Sequence, residues 1–129
     1  MKDVRRQQAI KVLKDWDKLK QEGIWLSGFE GEGLHKIWWE NDNLWEKSYY
    51  KNGELDGEYK EWWPDGTLWK KFYYKNGKKD GECKRWWHNG RLHILSYYEN
   101  DELDGEYKEW DKNGRLVKHT YYKNGEEIK

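Results

Sequence analysis

The sequence predicts a mainly β protein: an elongated antiparallel meander of repeated β-hairpins of about 24 residues, with one N-terminal α-helix. Three observations predict this fold: a motif that returns every 24 residues, two strand-like runs in each copy, and a helical apolar pattern limited to the first two dozen residues. The 129 residues suffice for one ordinary domain. We divide it into a helix over residues 1–23 and a hairpin array of about four units over residues 24–129.

The first segment has the pattern of an amphipathic helix. Gly23 is a suitable stop, and Lys18 and Lys20 precede it in a last turn where cations favour the helix dipole. We expect this helix either to cap an edge or face of the sheet or to act as an arm that docks onto a partner. Its apolar residues, spaced by threes and fours, are Val4, Ala9, Val12, Leu13, Trp16 and Leu19.

The repeat array is recognised by two landmarks. The first, Tyr-Tyr-Lys-Asn-Gly or its variant Tyr-Tyr-Glu-Asn-Asp, starts at Tyr49, Tyr73, Tyr97 and Tyr121. The second, built on Gly-Glu-Tyr-Lys-Glu-Trp-Trp, starts at Gly57, Gly81 and Gly105, with a more divergent copy at Gly33. A constant step over four copies predicts a stacked repeat architecture.

Each unit has the pattern of a β-hairpin. In the second unit, one strand is predicted from about Glu58 to Trp63 and the other from about Leu68 to Tyr74. Between them, Pro64-Asp65-Gly66 supplies a tight turn. A second turn signal, Asn76-Gly77, leads into the next hairpin, so consecutive strands are expected to be antiparallel neighbours.

Two registers are open for each hairpin. If residues 64–66 form a type I turn closed by a glycine bulge, Trp62 lies opposite Leu68, and Glu61 lies opposite Trp69. If the loop has two residues, Glu61 pairs with Lys70 and Trp62 meets Trp69. We favour the first register, because proline suits the second position of a type I turn and because constant and variable positions then separate onto opposite faces.

Composition limits the kinds of function that fit. With 35% hydrophobic and 18% aromatic residues, the core must be built from rings, and a large enzyme with a deep pocket is disfavoured. The 25 basic and 25 acidic residues cancel, which disfavours nucleic acid as the primary partner. The single cysteine cannot form an internal disulfide, and no segment resembles a signal sequence or a membrane span. We therefore expect a soluble, cytoplasmic protein.

The stretch from Tyr49 to Leu68 resembles the variant MORN repeat of the YwqK-like family, which is described as antitoxin-like. The resemblance implies a sheet of successive hairpins and a role in binding another protein, as an antitoxin or immunity factor does. The departures from the repeat pattern are Asp42 and Asp101 at expected glycines, Asp111 at an expected tryptophan, and the N-terminal helix. Choline-binding repeats are also rich in Trp, Tyr and Gly, but their period is shorter.

Comparison of the units with one another separates constant from variable positions. The constant positions are Trp38, Leu44 and the paired tyrosines, with their equivalents in the later units, and these are predicted to form one structural face. The variable positions are predicted to form a partner-binding stripe on the other face, since Trp and Tyr are frequent interface hot spots. The alternative is that these rings pack only against one another between strands. The predicted partner-binding residues are Trp39, Trp45, Tyr59, Trp63, Trp69, Trp87 and His93.

No catalytic, metal or cofactor site is predicted. The four histidines lack the spacing of zinc ligands. Cys83 replaces a tyrosine of the neighbouring units and is interpreted as a small buried filler, without a base that could activate it. We therefore expect a protein that is not an enzyme and that needs no cofactor.

The leading hypothesis is a non-enzymatic inhibitor that binds and blocks one partner protein. That partner would be a toxin, a nuclease or another defence effector, and a phage-encoded inhibitor of a CRISPR-type nuclease is one form of it. The first alternative is a small-ligand or nucleotide binder in which rings stack on bases while Lys60, Lys70, Lys71 and Arg85 meet phosphates. The second is a MORN-type scaffold or lipid-surface adaptor.

Overall fold

The computed structural model describes residues 33–128, which form one antiparallel sheet of twelve strands. The prediction of a mainly β hairpin meander is confirmed. The helix predicted over residues 1–23 lies outside the described residues. The strands are β1 (Gly33–Trp38), β2 (Leu44–Lys51), β3 (Glu54–Leu55), β4 (Gly57–Trp62), β5 (Leu68–Lys75), β6 (Lys78–Lys79), β7 (Gly81–Trp86), β8 (Leu92–Glu99), β9 (Glu102–Leu103), β10 (Gly105–Trp110), β11 (Leu116–Lys123) and β12 (Glu126–Ile128).

Four long hairpins follow one another without a crossover. They are β1–β2, β4–β5, β7–β8 and β10–β11, and each pairs with the next through its second strand. The two-residue strands β3, β6 and β9 fold back onto the end of the preceding long strand, as β12 does on β11. Every long strand therefore has only sequence neighbours beside it, which is the arrangement of a stacked repeat.

The turn inside each hairpin agrees with the predicted type I turn followed by a glycine. In the second hairpin, the Gly66 amide donates to the carbonyl of Trp63 at 2.9 Å, and Gly66 has a φ of 90°. In the first hairpin, Asp42 takes the same place with a φ of 71°. Aspartate tolerates this left-handed conformation better than most residues, so the departure from glycine does not disturb the turn.

The register combines parts of both predicted alternatives. Trp62 lies opposite Leu68, as the favoured register required, but Glu61 lies opposite Lys70. The favoured pairing of Glu61 with Trp69 was therefore wrong, because a β-bulge places Trp69 as an extra residue in β5. The same bulge occurs in all four hairpins. It lets Glu61 meet Lys70, whose ammonium lies 3.3 Å from the carboxylate.

The two faces of the sheet differ in exposure. We call the face that carries Tyr59, Phe72 and Cys83 the inner face, and the face that carries Lys60 and Lys71 the outer face. All the most buried described residues lie on the inner face, so the packed interior runs along it. These residues are Trp39, Ser48, Glu61, Phe72, Cys83 and Ser96.

The constant positions are split between the two faces. Trp62, Leu68 and Tyr73 lie on the outer face, as predicted. The second tyrosine of each pair does not, because alternation along the strand turns it inward. Tyr74, for example, makes an edge contact with Tyr59 at 5.7 Å between ring centroids.

Candidate functional site

The predicted partner-binding residues share the inner face but form separate groups. Trp39 and Trp45 make one pair, with ring centroids 5.0 Å apart. Trp63 and Trp69 make a second, at 4.4 Å, and Trp87 and His93 a third, at 3.7 Å. Each pair joins the residue after the first strand to the bulge residue of the second strand. The bulge therefore creates these ring pairs.

The second and third pairs line one open cleft between neighbouring hairpins. Its volume is about 570 Å³, within the range of small-molecule and side-chain pockets. We call it the aromatic cleft. Its lining residues are Trp63, Trp69, Arg85, Trp86, Trp87, His88, Asn89, His93 and Lys112.

The indole groups of the cleft differ in their hydrogen bonds. Trp87 donates its Nε1 hydrogen to the carbonyl of Trp110 in the next hairpin, at 3.1 Å. The Nε1 atom of Trp63 is buried and has no acceptor among residues 33–128. A buried N–H without an acceptor costs free energy, so the indole of Trp63 is less well satisfied than that of Trp87.

Two cations line the cleft. The guanidinium of Arg85 lies 5.3 Å from the ring centroid of Phe72, and Lys112 Nζ lies 5.5 Å from that of Trp87. Within the described part of the chain, neither cation forms an ion pair with a carboxylate. Lys70, the cation beside Trp69, is instead paired with Glu61.

The two histidines of the cleft have different environments. His93 stacks on Trp87, and burial is the main reason that its pKa is lowered, which favours the neutral imidazole at neutral pH. His88 lies at the rim, where its Nε2 is 2.7 Å from Asp65 Oδ2. It also meets the ring of Trp63 edge-on. Asp65 and His88 lie in the turns inside the second and third hairpins, so the His88 side chain links these two turns.

The remaining predicted residues lie outside the aromatic cleft. Trp39 is only 1% exposed and donates its indole hydrogen to the carbonyl of Trp62. Tyr59 stacks on Phe72 and donates its hydroxyl hydrogen to Glu46. These residues connect hairpins to one another, which agrees with the alternative that the rings pack between strands.

Sequence reasoning did not predict Trp86, His88, Asn89 and Lys112 as part of this site. Three of these residues, His88, Asn89 and Lys112, lie in the turns inside the third and fourth hairpins. The local sequence pattern gives no reason to expect a turn residue near a strand of another hairpin. Asn89 shows how the turns are joined, since its side chain donates to the carbonyl of Lys112 at 2.9 Å. The signal that could have found them is the constant step, which stacks equivalent turns side by side.

Of the four cations assigned to the nucleotide alternative, only two lie on the inner face with the predicted partner-binding rings. Lys70 and Arg85 are opposite each other on the inner face. Lys60 and Lys71 lie opposite each other on the outer face, where Lys60 forms an ion pair with Glu58 at 3.2 Å. The cations therefore do not form one continuous basic surface.

Cys83 is buried below the inner face. Burial is the largest cause of its raised pKa, so its thiol is held in the protonated form. Residues 33–128 contain no group of three or more His, Cys, Asp or Glu side chains arranged to hold a metal ion. Over the same range there is no helix long and apolar enough to cross a membrane.

Comparison with known protein families identifies the repeat. The family described as MORN repeat variant matches residues 31–52, 55–78, 79–100 and 103–124. These four segments cover more than half of the chain, and each contains one of the four long hairpins. No curated protein and no solved structure matches the chain significantly.

Proposed function

Because the chain belongs to the MORN repeat variant family, we propose that it is a non-enzymatic protein that binds a partner protein through the aromatic cleft and blocks it. The mode of action we propose is that of an antitoxin or immunity protein, in line with the resemblance of residues 49–68 to YwqK-like repeats. Membership of this family supports only the repeat fold, whereas the aromatic cleft supports the proposed function.

The observation that carries the proposal is the convergence of four predicted interface residues on one cleft. Trp63, Trp69, Trp87 and His93 line it together and remain partly exposed. Large rings that are rigid and only half-buried lose little entropy on binding, and each adds a large apolar contact area. A cleft with such walls suits a protruding side chain or short segment of another protein.

A binding role also agrees with the chemistry of the inner face. The thiol of Cys83, the strongest nucleophile by residue type, is buried and has a raised pKa. Nucleophilic cysteines need the opposite shift, toward the thiolate. This supports a protein that acts by occupying its partner.

The proposal is tested by affinity purification of the full chain from lysate of cells that express it naturally, followed by mass spectrometry. We expect Trp63→Ala and Trp87→Ala each to reduce capture of the partner by about tenfold or more, the size of effect that hot-spot residues have. Tyr73→Ala is the matched control, because this half-buried ring lies on the outer face of the same array. The control variant should capture the partner as the unmodified chain does.

Far-UV circular dichroism of all three variants separates loss of binding from loss of fold. The proposal fails if folded Trp63→Ala and Trp87→Ala retain full capture, or if Tyr73→Ala loses it equally. It also fails if the unmodified chain captures no partner.

The small-ligand alternative has one observation in its favour, the volume of the cleft, which suits a compact molecule as well as a side chain. Saturable quenching of tryptophan fluorescence by mononucleotides, lost in Trp87→Ala, would replace the proposed function with this one.

A further inference from the structure

We propose that the aromatic cleft recognises a carboxylate side chain on an acidic segment of the partner protein, held between Arg85 and Lys112. This inference rests on the proposed function and adds the chemistry of the bound segment. Two features of the cleft support it: its charge and the contacts of its rings.

The charge of the cleft is positive. Arg85 and Lys112 are in the lining, and no aspartate or glutamate is. Each cation lies near an aromatic ring, which attracts its charge but does not replace a carboxylate as an acceptor for its N–H groups. Glu109, a carboxylate whose field reaches His93, is engaged by the hydroxyl of Tyr107 at 3.0 Å. A carboxylate from a partner protein would therefore act as the acceptor for the N–H groups of Arg85 and Lys112.

The orientation of the rings favours an anion over a flat base. Trp69 has Trp63 stacked on it at 4.4 Å and Lys70 Nζ 4.2 Å from its centroid. Trp87 likewise has a stacked His93 and a nearby Lys112. These neighbours occupy part of the ring faces on which a base would stack, and the ring edges carry partial positive charge. A base needs an open face to stack on, whereas a carboxylate suits an edge.

A nucleic acid strand is the competing macromolecule, and the distribution of charge disfavours it. Binding of a phosphate backbone needs a line of cations. Here Lys60 and Lys71 lie on the outer face, and the formal net charge of the chain is zero. Two cations within one cleft suit one or two carboxylates better than a strand.

The experiment is a selection of short random peptides displayed on phage against the immobilised full chain. We expect the enriched peptides to contain Asp or Glu beside an aromatic or aliphatic residue. A synthetic peptide from this set should bind the double variant Arg85→Gln, Lys112→Gln at least about tenfold more weakly, as expected for loss of charge-assisted hydrogen bonds. Lys84→Gln is the matched control, since it removes one positive charge from the same strand on the outer face, where Lys84 is paired with Glu82.

Several results would overturn the inference. These are enrichment without acidic residues, no enrichment at all, equal binding to the double variant, and an equal loss in Lys84→Gln. Tighter binding of a thymidine oligonucleotide than of the acidic peptide would also overturn it. If the natural partner is captured through Trp63 and Trp87 but the double variant captures it equally well, the inference fails while the proposed function stands.

Discussion

Single side chains on the inner face show how rings and carboxylates stabilise each other. The hydroxyl of Tyr59 donates to Glu46 at 3.1 Å, and that of Tyr107 donates to Glu109 at 3.0 Å. The phenol supplies apolar area to the sheet, and the carboxylate satisfies its hydroxyl. At Tyr107, the carboxylate of Glu109 also makes loss of the phenol proton less favourable, because that loss would place two negative charges together.

This arrangement predicts a specific loss of stability at alkaline pH. Burial first, and then the hydrogen bond and charge of Glu109, raise the pKa of Tyr107 from 10.0 to about 12. The folded state therefore holds this proton more tightly than the unfolded state. The resulting stabilisation is complete below pH 10 and is lost as the pH rises toward about 12.

Tyr107→Phe tests this prediction through urea unfolding at a series of pH values. We expect the variant to lose less stability than the unmodified chain across the alkaline range, by about 1 kcal/mol, since solvent screens a hydroxyl that is only part-buried. Tyr121→Phe is the control, because this tyrosine is 50% exposed. Parallel pH curves for Tyr107→Phe and the unmodified chain would contradict the prediction.

At the level of single elements, the connecting turns hold neighbouring hairpins together. Each consists of two residues with positive φ, as in Asn76-Gly77 with φ of 51° and 80°. These values are typical of the type I′ turn that matches the twist of a hairpin. The Gly77 amide also donates to the carbonyl of Leu55 at 2.8 Å, and Asp101 and Gly125 donate in the same way to Lys79 and Leu103, so these turns are tied to the preceding connection.

Asp101 is the exception to glycine at the second position of these turns. It adopts a φ of 69°, and its Oδ1 accepts a hydrogen bond from the Lys79 amide at 2.7 Å. This bond offsets part of the strain of a non-glycine residue in the left-handed region. The substitution of glycine by aspartate is thus compensated locally.

Two substitutions separate the strain from the hydrogen bond. Asp101→Gly removes both, whereas Asp101→Ala removes the bond and keeps the unfavourable φ. We therefore expect Asp101→Ala to be less stable than Asp101→Gly by about 1 kcal/mol in urea unfolding. Asp101→Asn keeps an acceptor oxygen and tolerance of the turn, so it should lie close to the unmodified chain. Equal stability of the Ala and Gly variants would disprove this account of the turn.

At the level of the whole molecule, stability depends on contacts between neighbouring hairpins. Within residues 33–128, the last hairpin has a neighbour on one side only, and its side chains are correspondingly open. Leu116 and Val117 are 51% and 57% exposed, whereas the equivalent Leu68 and Trp69 are half-buried. In stacked repeats, a terminal unit with one interface is expected to open more easily than an internal one.

Native-state hydrogen exchange measures this difference directly. We expect paired amides of β11 and β12 to exchange at least about tenfold faster than those of β5 and β7, because local opening at the end of the array breaks fewer contacts. β5 and β7 serve as the internal reference within one sample. Uniform protection across all strands would show that the sheet opens only as a whole.

The sequence predicted the long strands and their turns because both are specified locally. Alternating rings and charges specify strands, and Pro64-Asp65-Gly66 and Asn76-Gly77 specify turns through their allowed φ values. The constant step then places successive hairpins side by side. Trp63, Trp69, Trp87 and His93 could be assigned to one face for the same reason.

The tertiary structure decided how neighbouring hairpins meet. It placed the bulge at Trp69, buried Trp39 and brought Lys112, from the turn inside the fourth hairpin, to the cleft. The bulge depends on the pairing within each hairpin. The burial of Trp39 and the position of Lys112 depend on hydrogen bonds between neighbouring hairpins, which form only when the units stack.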